Sequence, residues 1–215
     1  MERPTAPRFD AEFRETLARL IGWRRDVRRF RRDPLPDGAV EQLLELAQQA
    51  PSVGNSQPWR FVRIVSPGLR TALADHADAE VLRAAESIAP DRRAAYLSLR
   101  LHGLREAPEI MAVFCDDATG IGGGLGAATM PEARAYSVVL AIHTLWLAAR
   151  ARGIALGWVS VVDPAFVAGL LNAAPGWRLV ALLCMGLPEE EAQTPELERL
   201  GWQDRIDWRA NVYER

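Results

Sequence analysis

Between positions 24 and 32 the chain sets six arginines around a single acid: Arg24, Arg25, Asp26, Val27, Arg28, Arg29, Phe30, Arg31 and Arg32. Guanidinium groups stay charged near neutral pH and present a planar fork of donors, so a cluster of them suits a phosphate gripped in bidentate fashion. Trp23, Val27 and Phe30 interleave with the charges. That pattern fits a segment packed on one side and presenting arginines on the other. Asp26, surrounded by positive charge, is expected to be held ionised. All 26 basic residues are arginine and none is lysine. Amine or Schiff-base catalysis by a lysine is therefore excluded. Any anion must be held by arginine, by backbone N–H groups or by helix ends.

A second polar cluster, Ser52, Asn55, Ser56 and Gln57, stands at a helix-to-strand junction. Ordinary turn chemistry accounts for it, and so does a rack of hydroxyl and amide groups for a flat heterocycle. Ser160 falls in the strand-like run Gly157-Trp158-Val159-Ser160 and lacks the G-x-S-x-G setting of a hydrolase nucleophile. Gly122-x-Gly124-x-x-Ala127 imitates a dinucleotide fingerprint. However, the following helix begins only near Thr129, and no acidic residue ends a second strand about 20 residues on. A flexible loop over a site is the better reading. His76, His102 and His143 have no metal-ligand spacing. Cys115 and Cys184 sit in apolar runs as inert core thiols, so neither a metal site nor a disulfide is expected.

These residues need elements to position them. The hydrophobic pattern predicts an amphipathic helix over 10–20, a helix capped by Asp37 through 50, and a strand over 59–65. Helices over 67–85 and 91–106 follow, then a strand over 110–115. Thr129-Met130-Pro131-Glu132 reads as a capping box opening a helix to about 152. A strand over 156–162, a short helix over 164–173 and a strand over 179–185 complete the order. Helices outnumber strands early, so the expectation is α+β around one central sheet, in a single domain spanning 1–215. Its parts are the first helix, a core over 24–186 and an extension over 189–215. The stretch 138–149 is apolar on almost every side and calls for cover from its own domain or from a second subunit. It is shorter than the roughly 20 residues a bilayer span needs. Trp202, Trp208 and Tyr213 in the polar tail suggest that the tail wraps onto something. The formal net charge of −2 argues against nucleic-acid binding. The polar N-terminus lacks the apolar stretch of a signal peptide, so a cytoplasmic protein is expected.

Arg24-Arg25-Asp26-Val27-Arg28-x-Phe30 resembles the N-terminal FMN-phosphate motif of nitroreductase-fold flavoproteins, most of which carry Ser or Thr where this chain has Asp26. The resemblance extends through Ala50-Pro51-Ser52-Val53-Gly54-Asn55-Ser56-Gln57-Pro58-Trp59-Arg60-Phe61-Val62 and Gly122-Gly123-Gly124-Leu125-Gly126. Thr129-Met130-Pro131-Glu132, Tyr136-Ser137-Val138-Val139, Leu145-Trp146-Leu147-Ala148-Ala149-Arg150 and Gly157-Trp158-Val159-Ser160 continue it. The joint pattern, over about residues 24–186, is similar to the BluB family of 5,6-dimethylbenzimidazole synthases. It implies a nitroreductase-like α+β fold, with a mostly antiparallel sheet flanked by helices, working as a homodimer. It further implies that reduced FMN reacts with O2 and is consumed as a substrate. The products are 5,6-dimethylbenzimidazole, the lower ligand of vitamin B12, and erythrose 4-phosphate, and a separate flavin reductase supplies the reduced flavin.

Carried over by position, the resemblance puts Arg24, Arg25 and Arg28 on the FMN phosphate and ribityl chain, with Asp26 and Val27 in the same segment. Ser52 and Leu101 touch the flavin, and Asp26 and Ser160 matter for fragmentation. Arg205 is a further candidate phosphate contact. With no lysine near the flavin, an arginine takes the electrostatic role. The glycine loop and the helices around Leu101 are expected to form a lid. Two rivals share the flavin: an NAD(P)H-dependent nitroreductase or flavin reductase, and a non-catalytic flavin carrier. Asp26 in place of Ser or Thr favours fragmentation.

Overall fold

The computed structural model describes residues 6–215. The first five residues, part of the segment read for a targeting signal, lie outside it. Four strands form one antiparallel sheet: β1 (Trp59–Arg63), β2 (Glu109–Asp116), β3 (Ala155–Val159) and β4 (Trp177–Gly186), in the order β1-β2-β4-β3. Side chains alternate across a strand, and both faces here are covered, which is why β2 and β4 read as continuous apolar runs. Met111, Val113 and Cys115, with Ala181, Leu183 and Met185, face a cluster built by α2 (Ala39–Ala47) and α5 (Ala133–Ala151). Ile110, Ala112 and Phe114, with Leu182 and Cys184, face α3 (Pro67–Ala85) and α6 (Pro164–Leu170). Both thiols are buried and free, and burial pushes each up to about 12.

Helix α1 (Ala11–Trp23) opens on Asp10, whose carboxylate accepts the Phe13 N–H at 2.8 Å. No residue of α1 is buried. Phe13, Leu17 and Ile21 recur every fourth position on one exposed face, and Tyr136, Val139 and Leu140 are exposed on α5. The stretch read as apolar on all sides thus buries one side in its own chain and leaves the other bare.

Several boundaries depart from the pattern reading. Gly38, with φ of 74°, caps α2 in place of Asp37, because only a glycine takes that left-handed turn freely. The capping box at Thr129 does not form: the Thr129 hydroxyl donates to Gly126 O, and α5 starts after Glu132 without a side-chain cap. The helix expected over 91–106 is α4 (Pro90–Ser98), followed by an irregular stretch that carries Leu101. β3 ends at Val159, so Ser160 lies one residue beyond the sheet.

Candidate functional site

The arginine segment leaves α1 and runs along the open edge of β3. The Val27 N–H donates to Leu156 O at 3.1 Å, and Asp26 bridges Leu156 in parallel. Farther along, the Arg31 N–H donates to Leu187 O at 2.9 Å and the Glu189 N–H to Arg29 O at 3.1 Å. The segment thus covers an edge that would otherwise present unpaired backbone groups. Glycines permit the approach. A Cβ on Gly157 would lie 2.0 Å from Val27 O, and one on Gly103 would lie 2.6 Å from the ring of the buried Phe30. The interleaved aromatic read from the sequence is therefore the anchor, and the charges around it are held in place by its burial.

Asp26 Oδ1 accepts the Trp158 N–H at 2.8 Å, while Oδ2 pairs with Arg28 at 2.9 Å. A third of the Asp26 side chain (34%) stays exposed to a cavity of about 550 Å³ lined by Asp26, Arg28, Tyr96, Leu101, Trp158 and Ser160, among others. Burial among apolar walls raises the Asp26 carboxyl above its ordinary range; Arg28, the Trp158 amide and Arg24 pull the other way, in falling order. The arginines favour the ionised form, as expected, but desolvation outweighs them in the direction of the shift. Arg28 also reaches Glu196 at 3.7 Å, yet its Nε is buried with no hydrogen-bond partner. An orphaned charged donor in a buried group is costly, and an anionic ligand would satisfy it.

Arg24 and Arg25 stand where the segment leaves α1. Arg24 stacks over the Trp146 ring at 4.8 Å, and Trp146 Nε1 donates to Arg25 O at 3.1 Å, so α5 holds this stretch from below. A hollow of about 470 Å³ is lined by Arg24, Arg25, His143, Glu198 and Arg205, among others. Burial lowers the affinity of Arg24 for its proton, with the Arg205 charge adding to it. Arg25 is occupied: its guanidinium donates to the carbonyls of Gly22, Arg24, Ala192 and Gln193. In the chain as it stands it ties the end of α1 to the tail, so Arg24, Arg28 and Arg205 are the freer groups for an anion.

The structure therefore brings Asp26, Arg28, Leu101 and Ser160 to one cavity, with the Val27 backbone fixing the segment. Ser52 is not brought there. Its hydroxyl accepts the Gln57 N–H at 3.1 Å, and the next residue's N–H donates to Ser137 in the first turns of α5. Trp146 lies nine residues farther along that helix, about 13 Å at the usual rise. The glycine loop docks on the same end: a Cβ on Gly122 would lie 2.5 Å from Gly54 O. It does not line the Asp26 cavity of its own chain, contrary to the lid expectation; Gly122 is held against Gly54 instead. Tyr96 and Trp158 line the cavity and were not singled out from the sequence. Tyr96 is the one buried residue of α4 and its one aromatic, which is a signal that could have found it.

Residues 21–187 match the model of the Nitroreductase family, and the chain belongs to that family. Within it, the chain is 56% identical over 202 residues to 5,6-dimethylbenzimidazole synthase of Rhodospirillum rubrum, covering 94% of this chain and 95% of that one. A protein of the same name from Rhodobacter capsulatus is 44% identical, with 92% and 96% covered. Among solved structures, iodotyrosine deiodinase bound to FMN and 3-iodo-L-tyrosine superimposes with a TM-score of 0.70 at 25% identity, over 82% of this chain and 91% of that one. Among the described residues no helix is long and apolar enough to cross a membrane.

Proposed function

We propose that the chain catalyses the O2-dependent fragmentation of reduced FMN to 5,6-dimethylbenzimidazole and erythrose 4-phosphate, with the pyrimidine part of the flavin released as a further product. The observation that carries this reading is the placement of Asp26 and Ser160 on one cavity, beside Arg28, in a chain 56% identical to a synthase of that name. FMN fits the residues present: the cavity is lined by flat and apolar groups, and Arg28 Nε lacks a partner. Reduced FMN supplies the electrons that O2 accepts, and it is a substrate rather than a resident group.

In this reading Arg28 and Arg24, with Arg205, hold the phosphate and the ribityl chain, and Arg25 fixes the segment that presents them. Val27 sets the register of that segment against β3. Asp26, its carboxylate oriented by the Trp158 amide, accepts a proton from a ribityl hydroxyl. Its raised affinity for a proton suits a base better than an ordinary aspartate would. Ser160 donates a hydrogen bond to the polar edge of the ring system, while Leu101, Tyr96 and Trp158 exclude water from it.

The bare apolar faces of α1 and α5 support a homodimer. A second copy then supplies the Ser52 loop to the flavin that Asp26 faces, which accounts for the distance of Ser52 from its own chain's cavity. A separate flavin reductase delivers reduced FMN in the cytoplasm.

The test is aerobic incubation with FMN and a reducing system, followed by mass spectrometry for the benzimidazole. Its appearance only with the protein present supports the reading. A protein that released only hydrogen peroxide, while oxidising NADPH rapidly against nitro compounds, would be a nitroreductase instead.

A further inference from the structure

We propose that His76 is a positioning residue for Ser160, holding the loop that carries it through one hydrogen bond to Asp163. This rests on the assignment of Ser160 to the reaction. Ser160, Val161 and Val162 lie outside the sheet, between the end of β3 at Val159 and the start of α6 at Pro164. Upstream, the pairing of Val159 with Leu182 fixes the loop. Downstream, Pro164 has no N–H to offer, and the Asp163 carboxylate is committed to capping α6 through the Ala165 N–H at 2.8 Å. The Asp163 N–H points instead to α3 and donates to His76 Nε2 at 2.9 Å.

A backbone N–H only donates, so Nε2 is the unprotonated nitrogen and the proton sits on Nδ1. Glu80 approaches the same Nε2 only to 3.9 Å, so the amide is the closer partner. The ring itself is held firmly. It stacks on Phe166 with centroids 3.9 Å apart and planes 15° apart, its side chain is 14% exposed, and α3 is rooted in the core by Leu73, Ala74 and Ala77. His76 does not line the Ser160 cavity. Its effect passes through the loop, and a reacting group must be held within about half an ångström of its working position.

The test compares His76→Phe, which keeps the stack and loses the acceptor, with His76→Gln, which offers an acceptor oxygen. His76→Leu stands in if the Phe variant fails to fold, judged by FMN binding. In single turnovers with excess protein, the acceptor-less variant is expected to oxidise reduced FMN at the wild-type rate. Its ratio of benzimidazole to hydrogen peroxide should fall by about tenfold, the effect of one lost hydrogen bond, and the Gln variant should recover most of that. Hydrogen exchange of the peptide over 160–166, measured without flavin, is expected to quicken in the Phe variant and not in the Gln variant. Unchanged exchange, an unchanged product ratio or equal impairment of both variants would overturn the proposal. If the wild type makes no benzimidazole, the functional reading falls, and the exchange comparison still decides whether His76 holds the loop.

Discussion

Asp26 is pulled in two directions, and the balance is measurable. The unfolded chain ionises this carboxyl at about 3.9, whereas burial in the folded chain retains the proton to higher pH. Between those two values the folded state binds more protons than the unfolded one. Its contribution to stability therefore falls as pH rises across that interval and is flat above it. Asp26→Asn removes the effect, so without flavin the thermal midpoint of the variant is expected to gain on the wild type as pH rises from about 4. The opposite trend would mean that the Arg28 pair dominates. In turnover, Asp26→Asn and Ser160→Ala are each expected to bind FMN and oxidise it while losing at least tenfold in benzimidazole, with hydrogen peroxide rising to match. For Arg28→Gln, loss of one charge-assisted contact costs about 1.5–3 kcal/mol. Isothermal titration should show FMN affinity dropping by roughly tenfold or more, while riboflavin affinity changes little.

At the scale of elements, the site depends on how closely the arginine segment can approach β3. Gly157→Ala puts a methyl against Val27 O at 2.0 Å, an overpacking that typically costs 1–3 kcal/mol. A lowered thermal midpoint together with lost FMN binding is expected; full retention of both would show that the segment is not fixed there. Much of this arrangement could be read from the sequence. The apolar runs of β2 and β4 and the amphipathic pattern of α1 follow from local pattern, and the alternation of arginines with Phe30 foretold a segment packed on one face. What was hidden depends on contacts distant in sequence. Ser160 leaves the sheet because β3 pairs with β4 only to Val159, which no local alternation reveals. The occupation of Arg25 needs the tail carbonyls of Ala192 and Gln193. The rise in Asp26 proton affinity needs the walls of a cavity, whereas the sequence displays only the neighbouring charges.

For the whole molecule, the apolar stripe of Phe13, Leu17 and Ile21 and the exposed Tyr136, Val139 and Leu140 are too much hydrocarbon for a lone chain to leave in water without consequence. Light scattering is expected to show a dimer. Leu140→Glu, which places a charge on the bare face of α5, is expected to yield monomers that have lost benzimidazole formation; an active monomer would show that each chain carries a complete site. The proposed reaction destroys the flavin rather than recycling it. The most direct measurement is a mass balance: reduced FMN in known amount, excess protein and O2, with FMN and 5,6-dimethylbenzimidazole both quantified at completion. FMN is expected to disappear one for one with the benzimidazole formed. Recovery of all the FMN intact in its oxidised form, with no benzimidazole, would contradict it.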